Sequence, residues 1–326
     1  MVVTAVAPEV AADHPDPSAL QRASRGPSRR VMLLGVSVLM ILTFGRGLFW
    51  VVSFPVWTGD EGAHYSYEQS VATGRGVPVA GRSLDPADTL RLIKDSPVAT
   101  ERTQAIPPTP TLRWGIVDEQ YEGLQSPLYY VLLVPAYWTG RAVGGTVGSF
   151  YALRLASLLM AVASIPLVAL LARALMPERR AIWLLAPAVI AVLQIINVQN
   201  SYVDNDALTM VVATTCLLAL LASRGDLSVR RGAVFGVTLA AALLTKATLS
   251  ALVPALIIAL VAYVVRRRPG LRPVAKWVGA ASCTTALVIL PYLVFNLTEY
   301  HALSGARAAA ALGAWVGTGQ RAGSDA

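Results

Sequence analysis

The sequence predicts an all-α fold, a polytopic membrane helical bundle with about seven transmembrane helices and an outer juxtamembrane helical loop. Apolar residues make up 55% of the chain and charged residues only 14%, which is too apolar for a soluble domain of 326 residues. The apolar residues form long runs, and basic residues cluster in the short stretches between them. Short basic loops beside apolar spans face the cytoplasm, so these clusters also predict the topology.

The net charge of +8 is interpreted as this topology signal, and we expect no nucleic-acid partner. The basic clusters are Arg22, Arg25, Arg29 and Arg30; Arg173, Arg179 and Arg180; Arg224, Arg230 and Arg231; and Arg266, Arg267, Arg268, Arg272 and Lys276. The two cysteines, Cys216 and Cys283, both lie inside apolar runs, so a disulfide framework is not expected.

The N-terminal residues 1–30 are rich in Ala, Pro, Ser and Arg, which predicts a disordered tail in the cytoplasm. The first span follows over about 31–54 and carries Arg46, a costly residue in lipid unless it is paired or near the far surface. Residues 55–126 then hold ten of the nineteen acids and many prolines, which indicates a polar loop with short helices on the outer side.

The number of crossings must be odd between a loop on the outer side and a loop on the inner side, and this decides which of the next apolar stretches cross the membrane. The chain is outside after the first span and inside at the basic cluster 173–180, and the run 149–172 supplies the single crossing required. The stretch 127–143 is short, contains Pro135 and is rich in Tyr and Trp, which favour the membrane–water interface. We therefore predict that it lies as a helix on the outer face, within an outer loop over 55–147.

Two further spans are predicted over about 181–200 and 206–223. The apolar run 232–265 would be roughly 51 Å long as one helix, against a hydrocarbon core of about 30 Å. Because both of its flanks are basic, it should fold as a hairpin with Lys246 near the turn.

A last span over about 277–297 ends a transmembrane domain over 31–297, and residues 298–326 are predicted to form a weakly ordered tail. The predicted location is a bacterial plasma membrane, crossed several times, with the N-terminus in the cytoplasm. This topology puts a group of ionisable residues on the outer side near the lipid boundary, namely Asp60, Glu61, His64, Asp204, Asp206 and Lys246.

The adjacent acids Asp60 and Glu61 stand where the first span ends. A carboxylate there is suited to act as a general base toward a hydroxyl or as a metal ligand, so a divalent cation is one candidate cofactor. The alternative is an N-cap for the helix that follows, a role that needs only one acid. His64 shares a helical face with Glu61 and is either a direct participant or an interfacial polar group.

Asp204 and Asp206 lie in a short outer loop, where they either form a turn and N-cap or face the same cavity as the acidic pair. Lys246 lies between two helices and requires an anionic partner. A lipid phosphate is one such partner, with Arg46 or Arg154 nearby, and an internal salt bridge or snorkelling is the alternative. The sequence has no Walker loop or dinucleotide fingerprint, so nucleotide-dependent chemistry has no support.

Four short motifs occur in order within 31–297. They are the acidic pair Asp60-Glu61, the helix start Ser126-Pro-Leu-Tyr-Tyr130, the loop Asn205-Asp206-Ala-Leu208 and the turn Leu244-Thr-Lys246. Together they resemble the GT-C superfamily of integral-membrane glycosyltransferases, in particular the protein-mannosyltransferase and aminoarabinose-transferase types.

The resemblance implies an inverting enzyme that moves a sugar from a polyprenyl-phosphate donor to an envelope glycan, lipid or protein at the outer membrane face. It implies that Asp60 or Glu61 deprotonates or orients the acceptor hydroxyl. It also implies that cations bind the donor phosphate. The substrate-binding candidates are His64, Asp204, Asp206, Lys246, Arg46 and Arg154.

Two departures from the family pattern keep other interpretations open. Ser126 stands where the family usually has a second proline, and the family normally has more spans than are counted here. One alternative is a truncated, inactive copy or a chain that a partner subunit completes. Another is a polytopic lipid or solute transporter. Transporters carry charged or broken helices near the midplane and internal repeats, whereas this sequence has only Arg46 inside a span and no clear repeat.

Overall fold

The computed structural model describes residues 28–54, 61–80 and 121–303, and the regular structure within these ranges is entirely helical. The α-helices of this part, numbered in chain order, are α1 Arg29–Ser53, α2 Glu61–Ala72, α3 Leu128–Leu175, α4 Ile182–Val192, α5 Gln194–Gln199, α6 Asp206–Ala222, α7 Val229–Leu243, α8 Leu252–Arg267 and α9 Leu271–Tyr300. Short 3-10 helices precede α3 and stand on either side of α7. The predicted all-α class is confirmed.

Five helices in the described ranges are long and apolar enough to span a membrane. They are α1, α3, α6 with the 3-10 turn after it, α8 with the 3-10 turn before it, and α9. Helices α4 and α7 are shorter, with 11 and 15 residues. The expected total of about seven crossings therefore stays a prediction.

The outward faces of the long helices are apolar. Ile41 on α1, Ile258 on α8 and Leu287 on α9 expose 69%, 68% and 64% of their surfaces. The polar residues Arg154 and Ser157 are by contrast fully buried between helices. Apolar surface on long helices around a partly polar interior supports a multi-pass membrane protein.

The longest element, α3, is a helical hairpin. Two consecutive glycines leave the helical conformation, and the second, Gly145, has a φ of 62°, which residues with a Cβ rarely adopt. The arms 128–143 and 146–175 then run antiparallel. They pack so closely that a Cβ on Gly140 would lie 2.4 Å from the carbonyl oxygen of Gly148.

The hairpin buries three of the aromatic residues of 127–143, and the predicted position of this stretch on the outer face stays a prediction. Tyr129, Tyr130 and Tyr137 are 0% exposed, because the first arm buries them against its neighbours. The hydroxyl of Tyr129, for example, lies 2.6 Å from the hydroxyl of Ser157 on the second arm. These tyrosines are therefore core residues.

The second half of the bundle is built from α7, α8 and α9. A Cβ on Gly232 or Gly236 of α7 would lie 2.5 Å from a backbone oxygen of α9, so the small-xxx-small spacing brings these helices into close contact. Helix α8 runs back along α7, since the Tyr263 hydroxyl near its end donates to the carbonyl oxygen of Arg224 at 2.6 Å. The hairpin predicted for 232–265 is confirmed.

Successive helices run in opposite directions, so the polar residues at their ends lie at the two ends of the bundle. Helix α6 begins at Asp206 and ends two residues before Arg224, so roughly 25 Å of helix separates these positions. We call the end that holds Glu61 and Asp206 the carboxylate end. The opposite end, which holds Arg224 and Arg266, is the arginine end.

Candidate functional site

The motifs singled out in the sequence meet at the carboxylate end. One carboxylate oxygen of Glu61 accepts the backbone N–H of Val203 at 3.0 Å, which joins α2 to the loop before α6. The Nδ1 atom of His64 lies 2.6 Å from the hydroxyl of Tyr130, which joins α2 to the first arm of α3. Segments that are far apart in the chain are therefore in direct contact here.

Glu61 and Arg154 form a fully buried, bidentate ion pair. The Nε and Nη2 atoms of Arg154 donate to the two carboxylate oxygens at 2.7 and 2.6 Å, and both side chains are 0% exposed. The Nη1 atom donates to the carbonyl oxygens of Val51 and Phe54 at 3.0 and 3.2 Å. The pair thus fixes the start of α2 against the end of α1 and the second arm of α3.

His64 lies between Tyr130 and Asp204. Its Nε2 atom is 3.7 Å from the Oδ1 atom of Asp204, and the same oxygen accepts the backbone N–H of Asp206 at 3.0 Å. This contact forms the turn that was one of the two alternatives for the loop. The N-cap alternative for Asp206 does not hold, because α6 begins at Asp206 itself and Asn205 holds the cap position.

Lys246 stands at the break between α7 and the 3-10 helix before α8, in an extended conformation. Its Nζ atom lies 2.5 Å from the Oδ1 atom of Asp206, and the two side chains are 22% and 34% exposed. Of the partners considered for Lys246, the internal salt bridge is therefore confirmed. The residual exposure of both side chains leaves this pair accessible from outside the bundle.

Arg46 is engaged by the backbone of α4. Its Nη1 atom donates to the carbonyl oxygens of Ala191 and Val192 at 3.2 and 3.3 Å. The backbone leaves the helix at Leu193, so the carbonyl groups at the end of α4 lack the N–H donors that the next helical turn would supply. This contact offsets the cost of an arginine within a span. It is made at the end of α4, where the predicted span 181–200 is interrupted.

Asn205 connects the remaining motifs; it opens one of the four sequence motifs but was not among the candidate site residues. It is fully buried, and its Nδ2 atom donates to the Oε1 atom of Gln125 at 3.1 Å and to the carbonyl oxygen of Thr245 at 3.2 Å. The backbone N–H of Leu128 donates to the carbonyl oxygen of Leu244 at 2.9 Å. The α3 start, the α6 start and the Lys246 turn are consequently one hydrogen-bonded unit.

Glu68 is a buried carboxyl group that the sequence analysis missed. It is 0% exposed, and its two oxygens have no hydrogen-bond partner among the described residues. Burial raises the pKa of Glu68 from its ordinary value to about 9, so the group is protonated at neutral pH. The available signal was its spacing, because Glu68 follows His64 by four residues and shares its helical face.

Two predictions from the sequence lie beyond this geometry. Asp60 is outside the described residues, so its catalytic role stays a prediction. Within the residues that the structure describes, no group of three or more His, Cys, Asp or Glu side chains is arranged to hold a metal ion. The divalent cation suggested by the acidic pair remains an expectation as well.

Comparison with known families gives a match. Residues 137–295 match the family model of the dolichyl-phosphate-mannose-protein mannosyltransferases. The match includes Arg154, the loop 204–206 and Lys246, and it begins after His64. Among curated proteins, none matches the chain significantly. The family match confirms the predicted resemblance to the GT-C integral-membrane glycosyltransferases, and in general terms it supports a membrane glycosyltransferase.

Proposed function

We propose that the protein transfers a sugar from a polyprenyl-phosphate donor to a hydroxyl group of an envelope glycan, lipid or protein at the carboxylate end. One observation carries the proposal: ionisable residues from α2, the 203–206 loop and the Lys246 turn contact one another at one end of an apolar bundle. The family match supports the same chemistry, because a dolichyl-phosphate-linked mannose is the donor in that family's description.

Lys246 is the proposed contact for the donor phosphate. Its ammonium group has three N–H donors, and Asp206 accepts from one of them. The leaving phosphate gains negative charge as its bond to the sugar breaks, and a fixed cation lowers the energy of that state. In this arrangement Asp206 holds the ammonium group in place, and His64 beside Asp204 is a further contact for the substrate.

A carboxylate is the proposed base for the acceptor hydroxyl. Asp60 is the first candidate, because both oxygens of the neighbouring Glu61 are already held by Arg154 and Val203. Glu61 then acts as a positioning residue, and Asp204 is the second candidate base. In the transfer, the acceptor oxygen bonds to the anomeric carbon, the bond from that carbon to the phosphate oxygen breaks, and the hydroxyl proton passes to the base.

The test measures transfer of a labelled sugar from polyprenyl phosphate in membranes that contain the full chain. Asp60→Asn should lower the rate roughly 10²- to 10⁴-fold, the usual contribution of a general base. Lys246→Gln should lower it roughly 10²-fold, as loss of one charge-stabilising donor does in other enzymes. Asp226→Asn, an acid on the exposed surface of the arginine end, is the matched control and should leave the rate unchanged.

Each variant is first shown to be extracted as a monodisperse species, so that loss of rate is separated from loss of fold. Equal transfer by the wild type, Asp60→Asn and Asp204→Asn would exclude these carboxylates as the base. Sugar-lipid movement across vesicles without any covalent transfer would instead support the transporter alternative.

A further inference from the structure

A cavity of about 410 Å³ lies at the arginine end, between α6, α8 and α9. Its volume falls within the range of about 300–1,000 Å³ that small-molecule sites occupy. Part of the lining is apolar and includes Leu220, Leu227 and Leu260. The length of α6 separates this cavity from the carboxylate end, so the proposed transfer reaction does not use it.

Three arginines, Arg224, Arg266 and Arg267, line the same cavity. The ion pairs between described residues involve other side chains, and the acid closest in sequence, Asp226, is bound to Arg231 at 3.1 Å. Three guanidinium groups around one cavity, without an acidic partner in the described ranges, produce a local positive potential. Such a potential favours an anionic ligand.

Polar groups and aromatic rings complete the lining. Trp277 is 2% exposed, and its indole N–H has no acceptor among the described residues. Tyr263 also faces the cavity, and its hydroxyl donates to the backbone of Arg224. Trp and Tyr suit places where an apolar and a polar environment meet, as at a membrane surface.

We propose that this cavity binds the headgroup of an anionic phospholipid. Its phosphate lies among Arg224, Arg266 and Arg267, whose planar guanidinium groups can bind two phosphate oxygens at once. The glycerol and the first acyl carbons lie against the leucines. A free phosphate ion would satisfy the arginines but leave the apolar lining uncovered, and basic pockets between transmembrane helices bind anionic headgroups in other membrane proteins.

The test uses the purified full chain in a neutral detergent and measures binding of phosphatidylglycerol by native mass spectrometry. Phosphatidylcholine with the same acyl chains and inorganic phosphate are the comparison ligands. The variant R224Q/R266Q/R267Q should bind phosphatidylglycerol roughly tenfold or more weakly than the wild type. The charge-matched variant R230Q/R272Q/K276Q removes three positive charges outside the cavity and should bind within about threefold of the wild type.

A second pair of variants tests the cavity without changing charge. Ala259→Phe fills the cavity and should abolish the tight binding, whereas Ile258→Phe adds the same ring at an exposed position outside the lining and should not. Equal losses in the two triple variants would overturn the proposal in favour of general attraction to positive surface. Binding of phosphatidylcholine or inorganic phosphate as tightly as phosphatidylglycerol would overturn it too, as would unchanged binding by Ala259→Phe.

Discussion

The two ends of the bundle differ in whether their charged side chains are paired inside the protein or exposed without an ion pair. At the carboxylate end most of the described ionisable side chains are paired, and the Glu61–Arg154 pair is entirely buried. At the arginine end Arg224 and Arg266 are exposed and form no ion pair within the described residues. A charge held by a partner inside the protein keeps a fixed position, which a reaction site requires. An exposed charge remains available to an anion that arrives from outside.

Burial of the Glu61–Arg154 pair is unfavourable unless the geometry compensates for it. Removal of two charges from water costs several kcal/mol per ion, and the bidentate contact and the two carbonyl acceptors of Arg154 offset this cost. An apolar pair of similar volume often stabilises a protein as well. We therefore infer that the pair serves to position α2 beside the loop before α6, and the first prediction tests this.

Breaking the buried pair should have the largest effect on stability at neutral pH. Arg154→Met leaves the Glu61 carboxylate buried without its cation, so the free energy of unfolding should fall by about 3–5 kcal/mol. The double variant Glu61→Met/Arg154→Met should lose much less, because neither charge is then left unpaired. Thermal unfolding in detergent measures all of the variants. If the double variant loses as much free energy of unfolding as Arg154→Met and Glu61→Met lose together, the two side chains are not coupled.

Glu68 provides the second prediction, because it lies at the same end with no described partner. Its pKa is raised in the folded protein, so the unfolded chain ionises first as the pH rises. Stability is therefore unaffected below about pH 4.5 and falls by roughly 1.4 kcal/mol per pH unit until the folded pKa of about 9. Glu68→Gln keeps a neutral side chain of nearly the same shape and removes the carboxyl group that ionises.

The melting temperature of Glu68→Gln should match that of the wild type near the ordinary pKa of the carboxyl group and exceed it increasingly toward the raised pKa. A constant difference for Glu68→Gln would mean that this carboxyl group is already ionised in the folded protein.

The sequence predicted the helical class and the sorting of residues between the two ends, because both depend on composition and on where charges interrupt apolar runs. The 232–265 hairpin was predictable for the same reason. Charge counting could not reveal that 127–143 packs against its neighbour. Nothing in the alternation of basic loops reports the close approach at Gly140, which requires the partner arm to be in place.

The candidate site was only partly predictable. The motifs met at one end, as expected from topology, since Glu61, Asp204 and Lys246 all fall near helix ends that lie on the same side of the bundle. Their partners were not predicted, because an ion pair such as Glu61–Arg154 depends on which faces of two helices meet. Glu68 was missed for a similar reason: burial of an acid is a tertiary property, and only its spacing from His64 hinted at it.

The smallest effect should come from the ion pairs that are at least partly exposed, since each end of the bundle holds one of them. Lys246–Asp206 is partly buried, whereas Arg231–Asp226 has side chains that are 43% and 51% exposed. Lys246→Gln should therefore lower the free energy of unfolding by up to about 1 kcal/mol, and Arg231→Gln by about 0.2 kcal/mol or less. Both differences are measured as shifts in melting temperature at low salt and at high salt, which screens the exposed pair more strongly. Equal shifts for the two variants would show that the carboxylate end holds its Lys246–Asp206 pair no more firmly than the arginine end holds an exposed one.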